Sequence, residues 1–332
     1  MTDLKVRPLD ALDDAEYAAA YDVYERGEKH GRRDEYAQII GATSWRNALT
    51  RPLSMRSRQA WAAWRGSTIV GVASMTMPLS DNTHLGWGAV SVDPEHRRQG
   101  IGSALLAKAE EALRRAGRRV AVFEVDYPAG AGDDWPGIAF ATRRGYARAL
   151  HEAHQVLDLP AAIDLAVSPR DGYRVVSWLD RCPDEWAESY TAMMTRFHDE
   201  APTGDLDMEP TDWTVERLRE TEADWAARGR RFLVSAAVSP EGELVGYTEI
   251  SVNIDDLDAF QGETLVDPAH RGHGLGLAVK AANLVALGSE LPDKRRVHTS
   301  VSPANDAMNS VNRTLGFAPV EFYDEWQRNL TG

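Results

Sequence analysis

One eleven-residue pattern occurs twice in this chain, and it constrains the fold more than any other feature of the sequence. The first copy runs from Val92 to Gly102 and the second from Val266 to Gly276, 174 residues further on. Both copies read Val-Asp-Pro-x-His-Arg-x-x-Gly-x-Gly. A glycine followed by an aromatic residue also recurs after each copy, at Gly145-Tyr146 and Gly316-Phe317. A repeat this long predicts two similar domains rather than a solenoid, whose units span about 20–50 residues.

Each copy predicts a strand, a glycine-rich turn and a helix, in that order. Apolar and β-branched residues precede the Asp-Pro pair, and apolar residues at helical spacing follow the glycines. Glycine lets a backbone approach a ligand closely, and the first turn of a helix presents unpaired N–H groups to an anion. A pyrophosphate is therefore the predicted ligand of each turn.

The common nucleotide-binding loops do not match these turns. A GxGxxG loop would need a third glycine where Val279 stands, and the GxxxxGK[ST] loop is absent from the chain. These mismatches disfavour a nucleotide hydrolase or a dehydrogenase.

Composition and charge narrow the classes of partner. The 332 residues suffice for two ordinary domains, and the formal net charge of −14 disfavours nucleic acid and acidic membranes as partners. The same charge mildly favours a cationic substrate such as an amine. A single cysteine, Cys182, excludes an intrachain disulfide and suits a reducing compartment.

Several expectations follow from what the chain lacks. We see no run of about eighteen apolar residues and no signal-peptide core, so we expect a cytoplasmic protein. We propose no metal site, because no Cys/His cluster has metal-ligand spacing. We expect a monomer or a homodimer.

At the glycine turns the sequence resembles the GCN5-related N-acetyltransferases, the GNAT family. Their acyl-CoA loop reads Gln/Arg-x-x-Gly-x-Gly/Ala after a strand, as Arg271-x-x-Gly274-x-Gly276 does here. The resemblance covers essentially the whole chain as two copies. It implies an α/β (α+β) fold with two domains, each a mixed, splayed β-sheet flanked by helices. The expected boundaries are 1–160 for the N-terminal domain, 161–172 for a linker and 173–332 for the C-terminal domain.

The resemblance also implies which residues bind acetyl-CoA, the expected co-substrate. Its pantetheine would pair with the strand before each turn, and its pyrophosphate would lie on the turn's N–H groups, which matter more than the side chains. In the C-terminal domain the expected binding residues are Leu265, Val266, Arg271, Gly272, His273, Gly274, Leu275, Gly276 and Asn305. In the N-terminal domain they are Val90, Val92, Arg97, Arg98, Gln99, Gly100, Ile101 and Gly102.

The implied reaction is attack of an amine, expected to belong to a small molecule, on the acyl thioester. A primary amine is mostly protonated at neutral pH, so a group must take a proton. Glu263 on the central strand is the expected base, and Glu249 on the neighbouring strand is the second candidate.

The leaving thiolate needs a proton or a hydrogen bond. Many family members have a tyrosine four residues before the closing Gly-Phe, where this chain has Asn312. An amide cannot act as an acid, although it could hydrogen-bond the sulfur. Water, Tyr323 or no acid at all are the alternatives.

The N-terminal copy is poorer in candidate groups. Ala89 stands where the second copy has Glu263, and Ala141 stands where it has Asn312. We therefore expect the C-terminal domain to catalyse and the N-terminal domain to be structural or to hold CoA without turnover. A non-catalytic acyl-CoA-binding or sensing module is the alternative for the whole protein.

The remaining segments predict elements that bear on domain closure. Two hairpins are predicted, Gln59–Trp64 with Thr68–Met77 and Phe232–Val238 with Leu244–Val252. Strands at His154–Leu159 and Val320–Trp326 are expected to close the first and second domains. Residues 200–212 predict a mobile loop near a substrate.

Overall fold

A computed structural model describes residues 4–51, 54–162, 165–200 and 203–331. Residues 163–164 of the expected linker and 201–202 of the expected loop lie outside this part of the chain. Strands and helices of both repeats form an α/β fold, as the sequence predicts.

The described residues divide into two compact units. Unit 1 comprises those up to His151, Thr203–Glu209, and those from Glu321 onward. Unit 2 comprises Glu152 to Glu200 and Pro210–Val320. This division differs from the sequence-based boundaries, because each unit recruits a segment from outside its own stretch of the chain.

Unit 1 has a sheet in the order β1-β2-β3-β4-β5-β12. Its strands pair antiparallel except for β4 and β5, which are parallel. Its elements are β1 (Leu4–Pro8), α1 (Asp14–Lys29), α2 (Ala42–Thr50), β2 (Arg56–Arg65), β3 (Thr68–Pro78), β4 (Leu85–Val92), α3 (Ile101–Arg115), β5 (Val120–Pro128), α4 (Pro136–Arg143) and most of β12 (Ala318–Asn329).

Unit 2 repeats this plan with the order β6-β11-β10-β9-β8-β7. Here β10 and β11 are the parallel pair. Its elements are the second half of β6 (Ala147–Asp158), β7 (Arg174–Leu179), α5 (Asp184–Glu200), α6 (Val215–Ala227), β8 (Arg231–Val238), β9 (Leu244–Val252), β10 (Asp258–Val266), α7 (Leu275–Glu290), β11 (Arg296–Val301) and α8 (Asp306–Thr314). Both predicted hairpins are confirmed as β2–β3 and β8–β9.

The last strand of each unit comes from the other repeat. Strand β12 pairs antiparallel with β5, and β6 pairs antiparallel with β11. The expectation that His154–Leu159 closes the first domain and Val320–Trp326 the second is therefore wrong, although all of these residues except Leu159 lie in strands. An alternating pattern specifies a strand and its buried face, but the same pattern suits either neighbour.

The parallel strands of each unit separate partway along their length. Pairing of β4 with β5 ends at Gly88↔Phe123, and pairing of β10 with β11 ends at Phe260↔His298. Beyond these pairs the two strands diverge, and we call each divergence the fork of its unit. The splayed sheet that the sequence predicts is thus confirmed in both units.

The loop expected at residues 200–212 is anchored where it is described. Thr203–Glu209 belongs to unit 1, where Asn82 and Glu209 exchange two hydrogen bonds of 2.7 and 3.1 Å. The Asp207 N–H donates to Gln327 over 2.7 Å, and Leu206 and Met208 pack against a buried cluster at Leu85. These contacts hold the segment as part of the unit 1 core.

Each unit buries its amphipathic helix against its own sheet. In unit 1, Leu105 and Leu113 of α3 share a core with Phe123 and with Trp326 of β12. In unit 2, Leu284 of α7 shares a core with Val297, Leu157 of β6 and Phe317. None of the helices in the described ranges is long and apolar enough to cross a membrane.

One buried residue of α7 breaks its apolar pattern. Lys280 is only 1% exposed, and its Nζ contacts the Met308 sulfur at 4.0 Å and the Phe317 ring. Burial lowers the Lys280 pKa to about 7. Unit 1 has Leu106 at the matching position of α3, buried in its core.

Truncation of Trp326 tests the exchange of strands. Trp326→Ala removes a core side chain of unit 1 and should cost about 3–5 kcal/mol of unfolding free energy. Hydrogen exchange should then show lost protection in α3 and β5. The matched control is Phe317→Ala, nine residues earlier, which should loosen α7 and β11 instead. The same pattern of lost protection in both variants would contradict the pairing.

Substitution of Lys280 tests the cost of its burial. Unfolding releases Lys280 to its ordinary pKa, so between pH 7 and about 10.5 the unfolded chain binds more protons, and stability rises with pH there. Lys280→Leu should raise the free energy of unfolding most below pH 7, by at most about 4–5 kcal/mol, with the gain shrinking towards pH 10. Lys108→Leu, at a half-exposed site of α3, is the control. A gain independent of pH would contradict the assigned cause.

Candidate functional site

The two glycine turns share one backbone geometry. The Asp93 and Asp267 carboxylates accept hydrogen bonds from N–H groups two residues on, at 3.0 and 2.9 Å, and so cap a short 3-10 turn. Gly100 and Gly274 then begin α3 and α7 with φ of +83° and +76°, a left-handed conformation that favours glycine. No protein atom lies within 4 Å of where a Cβ would stand at either glycine. The space beside each helix start is therefore open, and the first turn of a helix carries unpaired N–H groups.

The arginines of the two turns brace the backbone. Arg97 Nε donates to the Val92 carbonyl over 3.3 Å, and Arg271 Nε donates to the Val266 carbonyl over 3.2 Å. Arg97 also donates to the Gly27 carbonyl, and Arg271 pairs with Glu200. Burial lowers the pKa of Arg97. The guanidinium groups thus tie each turn to the end of its strand, a role that the sequence did not reveal.

Other side chains of the turns also bond to protein groups. His273 pairs with Asp171 at 2.6 Å, and Gln99 accepts a hydrogen bond from Arg65. Arg98 takes a positive φ of 63° where unit 2 has Gly272. Ligand contact at the turns therefore falls mainly to the backbone, including the amides of the buried anchors Ile101 and Leu275, and of Gly102 and Gly276.

The strands that lead into the turns have a free edge beyond each fork. Val90 and Val92 pair with β3 on one side, and their pairing with β5 has already ended. Leu265 and Val266 pair with β9, and their pairing with β11 has likewise ended. A free strand edge beside a helix start fits a ligand with backbone-like amides and a diphosphate, such as acyl-CoA.

A bulge distinguishes the fork of unit 2. The register of β10 against β9 shifts between Gln261 and Thr264, so Gly262 and Glu263 lie in the bulge. In unit 1 the register of β4 against β3 runs without a shift from Gly71↔Val92 to Thr76↔Trp87. Bulges re-aim side chains and are frequent next to active sites.

The bulge presents the partly buried Glu263 beside a buried acid, Glu249, and two buried phenols. Tyr247 donates a hydrogen bond to Glu263, and Tyr190 of α5 donates one to Glu249. Burial, with the nearby Glu249, raises the Glu263 pKa to about 8. Burial also raises the Glu249 pKa, and it raises the pKa values of both tyrosines far above their usual range, so the phenols remain donors.

The other two predicted catalytic residues, Asn312 and Tyr323, and the predicted binding residue Asn305 each have a structural hydrogen-bond partner. Asn312 is fully buried and its Nδ2 donates to Gln155 over 2.9 Å. Asn305 caps α8, accepting from the Met308 N–H over 3.1 Å. Tyr323 belongs to unit 1, where it donates to Glu325 over 2.9 Å. The structure therefore does not place Tyr323 in the same unit as Glu263 and Asn312, because β12 closes the opposite unit.

The fork of unit 1 contains carboxylates that the sequence comparison of the two copies missed. Glu124 and Glu325 lie opposite each other on β5 and β12. Burial and the neighbouring Glu325 and Asp126 raise the Glu124 pKa to about 8, although its side chain reaches solvent. Burial raises the Asp126 pKa to about 7 against the opposing effect of Arg32. These carboxylates were missed because Glu263 was matched only to Ala89. The sequence does contain a signal for them, since Glu124 and Asp126 alternate with apolar residues in an apolar strand.

The sequence matches the Acetyltransferase (GNAT) family over residues 17–146 and again over residues 185–317. It is 31% identical over 240 residues to a mycothiol acetyltransferase of Saccharomonospora viridis, covering 69% of this chain and 70% of the relative. A mycothiol acetyltransferase of Thermobispora bispora is 29% identical over 237 residues, covering 69% and 72%.

Solved structures agree with this match. A tandem GNAT protein from the clavulanic acid biosynthesis pathway superimposes with a TM-score of 0.81 at 29% identity, covering 99% of both chains. A GCN5-related N-acetyltransferase from Sphaerobacter thermophilus has the same fold, with a TM-score of 0.69 at 14% identity over 98% of this chain and 96% of that one.

Proposed function

This chain belongs to the GNAT family of N-acetyltransferases, and we propose that unit 2 transfers an acetyl group from acetyl-CoA to the amine of a small molecule. The observation that carries this proposal is Glu263, a partly buried carboxyl group that lies in a strand bulge at the fork and accepts a hydrogen bond from Tyr247, with its pKa raised to about 8. The bulged strand leads directly into the glycine turn, so the proposed base and the turn belong to one continuous segment of chain.

Acetyl-CoA would be held by backbone groups of unit 2. The N–H groups from Gly272 to Gly276 suit its diphosphate, and the free edge at Leu265 and Val266 suits its pantetheine. Bound there, acetyl-CoA supplies an acetyl thioester. Hydrogen bonds made by Arg271 and Asp267 brace the turn within the protein.

Glu263 acts as the base in this proposal. The amine loses a proton to Glu263, its nitrogen bonds to the acetyl carbon, and the carbon–sulfur bond breaks. A base with a pKa near the working pH is the most effective, and the Glu263 pKa meets this condition. Tyr247 orients the carboxylate, and Glu249 raises its basicity. With Tyr323 in unit 1, water is the proposed proton source for the sulfur.

A small cationic amine is the acceptor class that the charges favour. Glu249 and Glu263 lie together on the side of the sheet that α5 covers, where an ammonium group would offset their charge. Two relatives are named for mycothiol, a small molecule, which supports a small acceptor over a protein lysine.

Unit 1 is proposed to bind acyl-CoA without turnover. Its glycine turn has the same geometry as that of unit 2, but β4 has no bulge and Ala89 replaces the base. This combination favours the binding role for unit 1 alone, whereas the base in unit 2 argues against a sensing role for the whole protein.

Glu263→Gln tests the base. Because activity requires the deprotonated form, kcat/KM should rise with pH through about 8 in the native protein. The variant should lose about 10²–10³-fold in kcat/KM at pH 8.5 together with that ascending limb. Glu249→Gln, the matched control, should move the limb to lower pH, because Glu249 raises the Glu263 pKa. Undiminished activity in Glu263→Gln would remove the proposed base.

A valine substitution at the start of α3 or α7 tests the two glycine turns one at a time. Gly274→Val and Gly100→Val force a β-branched side chain into a positive φ and into the ligand's space. Calorimetry should show two acetyl-CoA sites in the native protein and one in each variant. Activity should be lost only in Gly274→Val. A folded Gly100→Val protein without activity would contradict a non-catalytic unit 1.

A further inference from the structure

Three side-chain amides, of which Gln155 and Asn312 are buried and Asn309 is partly buried, form a hydrogen-bonded chain in unit 2. Asn309 Nδ2 donates to the Ser302 and Pro303 carbonyls at 3.0 and 3.4 Å. Gln155 Nε2 donates to Asn309 Oδ1 at 2.8 Å, and Asn312 Nδ2 donates to Gln155 Oε1 at 2.9 Å. At the end of this chain, Asn312 Oδ1 has no hydrogen-bond partner among the described residues, although Asn312 is fully buried.

The direction of this amide chain is fixed at its first link. Backbone carbonyls only accept hydrogen bonds, so Asn309 must turn its amino group towards Ser302 and Pro303. Asn309 Oδ1 then requires a donor, which orients Gln155, and Gln155 Oε1 in turn orients Asn312. Every amide orientation follows from the one before it, and the chain ends on an acceptor oxygen at Asn312.

The fold itself does not require these amides. Counting back from the closing glycines, Ile138 and Ala141 of α4 match Asn309 and Asn312 of α8. In unit 1 these two residues share an apolar core with Trp326, which comes from the strand beside β5. A buried polar atom without a partner costs about 1–3 kcal/mol. Retaining such an atom where the sister unit is apolar indicates that a ligand satisfies it.

The amide chain lies at the fork of unit 2. Gln155 is opposite Thr299, the first residue of β11 beyond its last pair with β10. Thr299 Oγ1 donates across the fork to the Gln261 carbonyl at 3.5 Å. Gln261 is itself buried, and its Oε1 is a second acceptor without a partner among the described residues. A ligand with N–H donors would satisfy both of these acceptors, Asn312 Oδ1 and Gln261 Oε1.

We propose that Gln155 and Asn309 are positioning residues that lock Asn312 with its carbonyl oxygen turned into the fork, where it accepts a hydrogen bond from an N–H group of a reactant. This inference rests on the proposed function of unit 2. It replaces the sequence-based expectation that Asn312 donates to the departing sulfur, because an acceptor oxygen would repel a thiolate. Gln155 comes from β6, so the exchanged strand supplies the link that sets the orientation.

The test begins with two single variants and their combination. Gln155→Leu and Asn312→Ala should each lower kcat/KM about 10–50-fold. In the double variant, kcat/KM should be no lower than in Asn312→Ala alone, because both changes break the same chain of hydrogen-bonded amides. Multiplying effects in the double variant, or unchanged kcat/KM in Asn312→Ala, would overturn the proposal.

A variant with the apolar pattern of unit 1 separates function from folding. Asn309→Ile with Asn312→Ala and Gln155→Leu removes all three amides of the chain, including the unpaired Oδ1 of Asn312. It should melt at or above the native temperature while kcat/KM falls at least tenfold. If this variant is stable and keeps kcat/KM within twofold of the native value, the amides have no positioning role.

A conservative variant supplies a readout other than activity. In Gln155→Glu, the protonated acid can still donate to Asn309, whereas the carboxylate cannot. Binding of the reactant that donates the N–H group, acetyl-CoA or the amine, should therefore weaken from pH 5.5 to pH 8 in Gln155→Glu but not with the native Gln155, as measured by calorimetry in the Gly100→Val background. Equal pH dependence with and without the Gln155→Glu change for both reactants would overturn the proposed link.

Two measurements identify the donor and separate the two proposals. If the N–H group belongs to acetyl-CoA, Asn312→Ala weakens its binding in the absence of amine. If it belongs to the amine, that binding is unchanged and the KM for the amine rises. Either result supports the positioning role, and a change in neither overturns it. Failure of the native unit 2 to bind acetyl-CoA would instead reject the proposed function.

Discussion

The separation of two parallel strands is the constraint on which the rest of each unit depends. Inside a sheet every backbone N–H and C=O normally has a partner, and leaving such groups unpaired is costly. Beyond Gly88 and Phe260, the backbone groups on the inner edges of β4 and β10 are no longer paired with β5 and β11. The same strands end in turns whose helix starts carry further unpaired N–H groups. A ligand with amides along its length and a diphosphate at one end can satisfy both sets.

The two units solve the same backbone problem with different chemistry. Unit 2 has a bulge, a partly buried carboxyl group hydrogen-bonded to a tyrosine, and amides from β6 and α8. Unit 1 has a regular strand, carboxylates on β5 and β12, and apolar residues where the amides would be. Since the same fold contains apolar residues at these positions in unit 1, the fold alone does not require the polar groups of unit 2.

Exchange of the last strands makes each unit depend on both repeats. Strand β6 carries Gln155 into unit 2, and β12 carries Tyr323, Glu325 and Trp326 into unit 1. Neither fork would have its present set of side chains if each repeat closed on its own last strand. A variant at the end of either repeat is therefore expected to act on the other unit.

The sequence by itself determined the local structure of the cradle and the family. A capping aspartate, a glycine at positive φ and an apolar helical period act within about ten residues, so the strand, turn and helix around Gly100 and Gly274 could be predicted. Glu263 could be placed on the central strand for the same reason. Tertiary structure alone decided the partners of β6 and β12, the unit of Tyr323, the bracing role of Arg97 and Arg271, and the orientation of Asn312. Each of these depends on a contact between segments far apart in the chain, and a period of two specifies which face a residue occupies but not which strand lies beside it.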